Sequence, residues 1–101
     1  MTPRLSVVGL VVDDMARSLA FYRDLGLDVP EPGAEPHVEV TLPGGDRLAW
    51  DTPDVMRAMD PDWQPATGGA RMALAFLCDD PAEVDATYAR MVAAGHRGKL
   101  D

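Results

Sequence analysis

The sequence predicts an α+β fold assembled from a repeated βαβββ unit whose second copy is incomplete, and three observations carry that prediction. Displaced by 66 residues, the chain matches itself: Val7 to Asp14 (VVGLVVDD) falls on Ala73 to Asp80 (ALAFLCDD), Ala16 on Ala82, Ala20 on Ala86, Tyr22 on Tyr88 and Leu25 on Met91. Self-similarity at a fixed period marks a repeated structural unit. Each copy runs from an apolar stretch through paired aspartates into an amphipathic stretch, so the pattern changes from strand-like to helical. The copies then part. After Gly26 the first continues through 26 strand-like residues to Thr52, whereas six residues follow Gly95. Module one is therefore read as 1–52, a linker as 53–69 and an incomplete module two as 70–101, all within a single domain, 1–101.

Leu5 to Val12 is valine-rich and almost wholly apolar, which predicts a strand buried on both faces. Asp14 is a natural N-cap, because its carboxylate accepts amide hydrogens that the first helical turn leaves unpaired. Met15, Leu19, Tyr22 and Leu25 follow at helical spacing, and Gly26 supplies the stop. Leu27 to Val29 reads as the start of a second strand, broken by Pro30, Pro32, Gly33 and Pro36. His37 to Leu42 alternates strictly, Pro43-Gly44-Gly45-Asp46 makes a hairpin turn, and Arg47 to Asp51 returns, giving three antiparallel strands in all. Within the linker, Asp54 to Met59 is a short helical turn. Arg71 to Cys78 is the second copy's strand, and Asp80-Pro81-Ala82-Glu83 opens its helix with an N-cap, a proline at the first position and an acid at the third. Val84, Tyr88, Met91 and Val92 form the apolar stripe that ends at Gly95. A strand at Ala73–Cys78 with no neighbour leaves an open apolar edge, so further residues or another chain are expected to cover it.

Composition narrows the function classes. The net charge of −8 opposes binding to nucleic acid or to an anionic membrane surface. The single cysteine, Cys78, excludes an internal disulfide and reads as a buried, inert thiol. There is no signal-peptide layout and no apolar run of membrane-spanning length, so a cytoplasmic protein is expected. No nucleophile has a base and an orienting acid at the required spacing, and the glycine pairs Gly44-Gly45 and Gly68-Gly69 precede strands instead of helices, where they cannot cradle phosphate. His37 and His96 have no partner at metal or triad spacing and are read as exposed.

The stretch GLVVDDMARSLAFYRDLGL, with its aspartate, Phe21-Tyr22 and Leu25-Gly26, resembles the vicinal-oxygen-chelate superfamily of glyoxalases, bleomycin-resistance proteins and extradiol dioxygenases. The resemblance implies two modules cupped into a mixed sheet with helices on the outside, a cavity within, and a homodimer. It also implies where a metal would be held. Metal-binding members place a His, Gln or Glu on the first strand of each module, at positions that are Val7 and Ala73 here, and neither side chain has a lone pair to donate. The chain supplies at most one or two of the remaining ligands, so no metal, no cofactor and no catalytic residue is assigned. The expectation is the metal-independent, bleomycin-resistance-like branch.

Within that frame five residues are the candidate ligand-binding set. Trp50, at the end of the last strand of module one, and Trp63, in the loop Asp60-Pro61-Asp62-Trp63, offer flat indole faces on which an aromatic or cationic molecule stacks. For Trp50 the alternative is packing beneath the helix. Asp51 and Asp62 are read as part of an acidic rim, or else as solvated loop carboxylates. Glu39 lies on the polar face of its strand with His37 and Thr41, directed either into the cavity or simply outward. The resulting expectation is a homodimeric protein that binds a small aromatic or cationic molecule, such as an antibiotic, without turnover. The rival is a metal-dependent lyase or dioxygenase completed by further residues or by a partner chain.

Overall fold

The computed structural model describes residues 2–31, 33, 35–69 and 72–98. By internal contacts the chain divides into two units, 1–65 and 66–101.

The first unit contains strand β1 (Val7–Val11), helix α1 (Met15–Leu25), strands β2 (His37–Thr41) and β3 (Arg47–Asp51), and helix α2 (Pro53–Met59). Helix α1 begins where the sequence indicated: Asp14 is extended, and its Oδ1 accepts the Arg17 amide at 3.0 Å. It ends at Gly26, whose φ of 116° is left-handed and whose amide turns back onto the last-turn carbonyls. A side chain would resist that conformation, and glycine does not.

The three strands form one sheet in the order β1-β3-β2, with β3 parallel to β1 and antiparallel to β2. The β2–β3 hairpin closes through Pro43-Gly44-Gly45. The Leu42 amide bonds the Asp46 carbonyl at 2.7 Å, and Gly45 takes φ 95°. That three-residue loop, ending in a left-handed glycine, sets the register His37↔Asp51, Glu39↔Ala49 and Thr41↔Arg47.

Alternate residues then fall on opposite faces. Leu48 and Trp50, flanked by Val8, Leu10, Val38 and Val40, meet Leu19, Met15 and Tyr22 of α1, and Val29 joins the same core. Trp50 and Leu19 are fully buried. The Tyr22 ring meets Trp50 edge-on, with centroids 5.3 Å apart, and burial raises the Tyr22 pKa.

Three expectations for this unit need correction. Leu27–Val29 is not a strand; Val29 is instead an irregular residue pinned into the core. The antiparallel set expected after the helix therefore has two strands instead of three, His37–Thr41 and Arg47–Asp51, and these two do pair antiparallel. Nor is β1 buried on both faces: it is an edge strand with Val7 and Val11 exposed and only Val8 and Leu10 turned inward. A valine-rich run satisfies either arrangement, since β-propensity reports a pleated surface and not its depth.

The second unit is helix α3 (Pro81–Ala93) with an irregular approach. Asp80 caps it by accepting the Glu83 amide at 2.8 Å, while the Glu83 carboxylate reaches back to the Asp79 amide at 2.9 Å. The reciprocal pair satisfies donors at the helix start. Among the described residues 72–78 there is no strand, contrary to the repeat, and Arg71 lies outside them. A strand needs a partner for its amides and carbonyls, and this stretch pairs with none in a sheet. Of the expected stripe only Met91 is buried; Val84, Tyr88 and Val92 are exposed. Cys78 is half-buried and has a free thiol.

Candidate functional site

The sheet face turned away from α1 is a three-by-three grid. Its rows, read β1 to β3 to β2, are Val7, Arg47, Thr41; Gly9, Ala49, Glu39; and Val11, Asp51, His37. The β1 edge is apolar and open, with Val7 and Val11 exposed and nothing within 4 Å of where a Gly9 side chain would start. The β2 and β3 side is polar and internally bonded. His37 Nδ1 lies 2.5 Å from Asp51 Oδ1, and its Nε2 lies 3.3 Å from Glu39 Oε2. Glu39 Oε1 accepts from Arg47 Nη1, Arg47 Nη2 bonds the Ser6 hydroxyl, and Arg47 Nε donates to the Ser6 carbonyl at 3.3 Å. Cross-strand neighbours and diagonals make these contacts, apart from His37–Glu39, which are two residues apart on β2, so register and strand alternation together assemble the cluster.

The hydrogen bond to Asp51 raises the His37 pKa against the opposing effect of desolvation, and Glu39 adds to the rise. An imidazole between two carboxylates is favoured in its doubly protonated form, which donates from both nitrogens.

The five candidates from the sequence separate into three places. Glu39 and Asp51 come together on this face. Trp50, two strand positions from Leu48, is on the other face, fully buried against α1, so the packing alternative describes it and its ring has no ligand-facing surface. Its Nε1 is buried without a hydrogen-bond partner among the described residues, as is the Thr52 hydroxyl. Trp63 and Asp62 lie on the loop after α2, away from the grid in sequence. There the Arg57 guanidinium already sits over the Trp63 ring at 5.4 Å from the centroid, held in turn by Asp54 at 3.3 Å. Asp62 donates its backbone amide to Asp60 Oδ1, which shapes a turn.

Sequence reasoning missed His37, Arg47 and Ser6. Their signal was the hairpin register: a three-residue loop puts His37 opposite Asp51, whereas a two-residue loop shifts every pairing by one residue. The reading of His37 as lacking a partner is therefore corrected by two carboxylates. In the second unit, an open hollow lined by Phe76, Leu77, Cys78, Asp79, Asp80, Pro81, Val84 and Asp85 fronts the start of α3.

The description "Glyoxalase/Bleomycin resistance protein/Dioxygenase superfamily" belongs to the family model that matches residues 4–99. The chain is a member of that superfamily. No curated protein matches it. Among the described residues no group of three or more His, Cys, Asp or Glu side chains is arranged to hold a metal ion, and both His37 ring nitrogens are engaged by carboxylates. Among the described residues no helix is long and apolar enough to cross a membrane.

Proposed function

We propose that this glyoxalase-superfamily chain is a binding protein that holds a small aromatic molecule, of the kind an antibiotic-binding member would take, against the sheet face opposite α1 and without a metal ion. One observation carries the reading. Two of the sequence candidates, Glu39 and Asp51, converge with His37 and Arg47 beside an open apolar edge at Val7, Gly9 and Val11. Recognition sites characteristically join an apolar surface to a few fixed polar groups, and the polar groups here are fixed by one another. The ring of a planar ligand lies over Gly9, where no side chain obstructs it. Trp63 is a weaker support for the ligand, because its ring is already covered on one side by Arg57.

The same reading pairs two copies of the chain in a homodimer. Leu77 is fully exposed and Met72, Phe76 and Val84 are largely so, an apolar surface that a second copy would cover. Sedimentation of the protein as a monomer at micromolar concentration would remove the dimer from this reading.

The binding test is a titration of uniformly ¹⁵N-labelled protein with benzamide, a neutral planar probe. Amide shifts confined to Gly9, Glu39, Ala49 and Asp51, abolished by Gly9→Leu, are expected. Shifts confined to the loop 60–63 would refute the placement.

A further inference from the structure

From the disposition of charge on this face we infer that the ligand is an organic carboxylate, bound through the Arg47 guanidinium with its apolar body along β1. The inference rests on the reading that this face is the binding site.

The two acids and the two bases are not equivalent toward solvent. The Asp51 and Glu39 side chains are 14% and 30% exposed, whereas those of Arg47 and His37 are 41% and 48% exposed. The carboxylates lie lower and brace; the cations stand above them. A ligand arriving over the sheet meets positive groups first, although the chain as a whole is acidic. At physiological salt that distant charge is screened within about 8 Å, so the groups at contact decide the sign of the partner.

Arg47 is also incompletely used. A guanidinium has five N–H donors in a planar fork. Ser6 takes two, one through its carbonyl and one through its hydroxyl, and Glu39 takes one. Among the described residues nothing takes the remaining N–H on each terminal nitrogen. A pair of this kind fits the two oxygens of a carboxylate, and the anchoring by Ser6 and Glu39 lowers the entropy lost when it does so. Both His37 ring nitrogens are committed to Asp51 and Glu39, so Arg47 is the anchor.

The neighbouring surface fits the rest of such a molecule. Val7 is the β1 residue paired with Arg47, and Gly9 and Val11 continue the apolar edge along the strand. Adjacent strands are about 4.8 Å apart and Gly9 lies two residues, about 6.6 Å, along β1 from Val7, so Gly9 is about 8 Å from Arg47 at the backbone, a diagonal on the scale of a guanidinium joined to one small aromatic acid. The groups facing Arg47 are Glu39 from β2, the Ser6 oxygens that precede β1, and Thr41 opposite it; Asp51 lies further along the same strand and is occupied by His37. Among the described residues no carboxylate other than Glu39 bonds Arg47.

The test compares benzoate, benzamide and benzylamine, three probes of one shape and different charge, on the full chain by the same amide-shift titration. Benzoate is expected to bind about tenfold or more tightly than benzamide, as for a hydrogen-bonded pair to a charged group, with benzylamine weakest. Arg47→Gln should bring benzoate down to the affinity of benzamide for the same variant, and Arg47→Lys should restore only part of the advantage, because an ammonium keeps the charge and loses the fork. Circular dichroism on each variant separates loss of binding from loss of fold. If benzylamine or benzamide moves the Gly9 and Ala49 amides at least as strongly as benzoate, the site stands and the carboxylate inference falls. If none of the three probes moves them, both fall.

Discussion

Trp50 tests the packing of the first unit most sharply, because it was also a candidate for ligand contact. Its side chain is fully buried, with Tyr22 edge-on at 5.3 Å. A buried aromatic removes about 150–250 Å² from water, worth about 4–6 kcal/mol at about 25 cal/mol per Å². A compact denatured chain trims this by roughly a quarter. The unpartnered Nε1 opposes burial by about 1–3 kcal/mol. Trp50→Ala should therefore cost about 1–3 kcal/mol, below the usual range for truncating a core tryptophan. Trp50→Phe keeps most of the apolar area and deletes the orphaned N–H, so the two changes offset and the net effect should lie within about 1 kcal/mol. Urea unfolding followed by far-ultraviolet circular dichroism measures both variants on the same footing. Two results would refute the reasoning. A Phe variant as damaged as the Ala variant would mean that the indole N–H has a partner. An Ala variant as stable as the parent would mean that Trp50 is not in the core.

Three further predictions follow from the caps and the cluster. Asp14→Ala should lower stability by about 1 kcal/mol through loss of the N-cap bond to Arg17, read as a shift in urea midpoint with unchanged slope. Gly26→Ala should cost about 1 kcal/mol, since φ is 116° there, and a neutral or stabilising result would show that the helix ends differently. His37 should titrate above its ordinary 6.5 in a proton NMR titration, and Asp51→Asn should bring it down. A folded-state value raised in this way gives stability that is fully present below pH 6.5 and is lost as pH rises through the folded-state value; a midpoint at or below 6.5 would contradict the pair of carboxylate contacts.

What the sequence made legible was local. Asp14 and Gly26 bound α1, and Asp80, Pro81 and Glu83 open α3, because capping is decided by a few adjacent side chains. The alternation in His37–Leu42 and the turn that follows located the hairpin for the same reason. Partnership was not legible. The apolar stretch 73–78 has the composition of a strand and matches β1 residue for residue, yet β1 is a strand only because β3 supplies its hydrogen bonds. Leu27–Val29 has strand-like residues, and the fold uses Val29 as a core plug instead. At the candidate site, Glu39 and Asp51 were visible as acids, while their meeting through His37 depended on a loop one residue longer than the tightest hairpin.

The order of strands in the sheet has a consequence for how the protein is made. β3 is the last of the three to be synthesised, yet it stands in the middle and makes every inter-strand bond. β1 pairs with residues 40 positions later, as Val7 does with Arg47, and β2 waits for the same arrival. A nascent chain that has emerged only as far as the hairpin turn can wind α1 on its own caps, but it has no sheet on which to lay Leu19. Translation thus passes through an interval in which the apolar stripe of α1 and the inward residues Val8 and Leu10 of β1 are all present and uncovered. It closes when the short run Arg47–Asp51 leaves the ribosome, which makes those five residues the segment where a pause or a substitution would weigh most on yield.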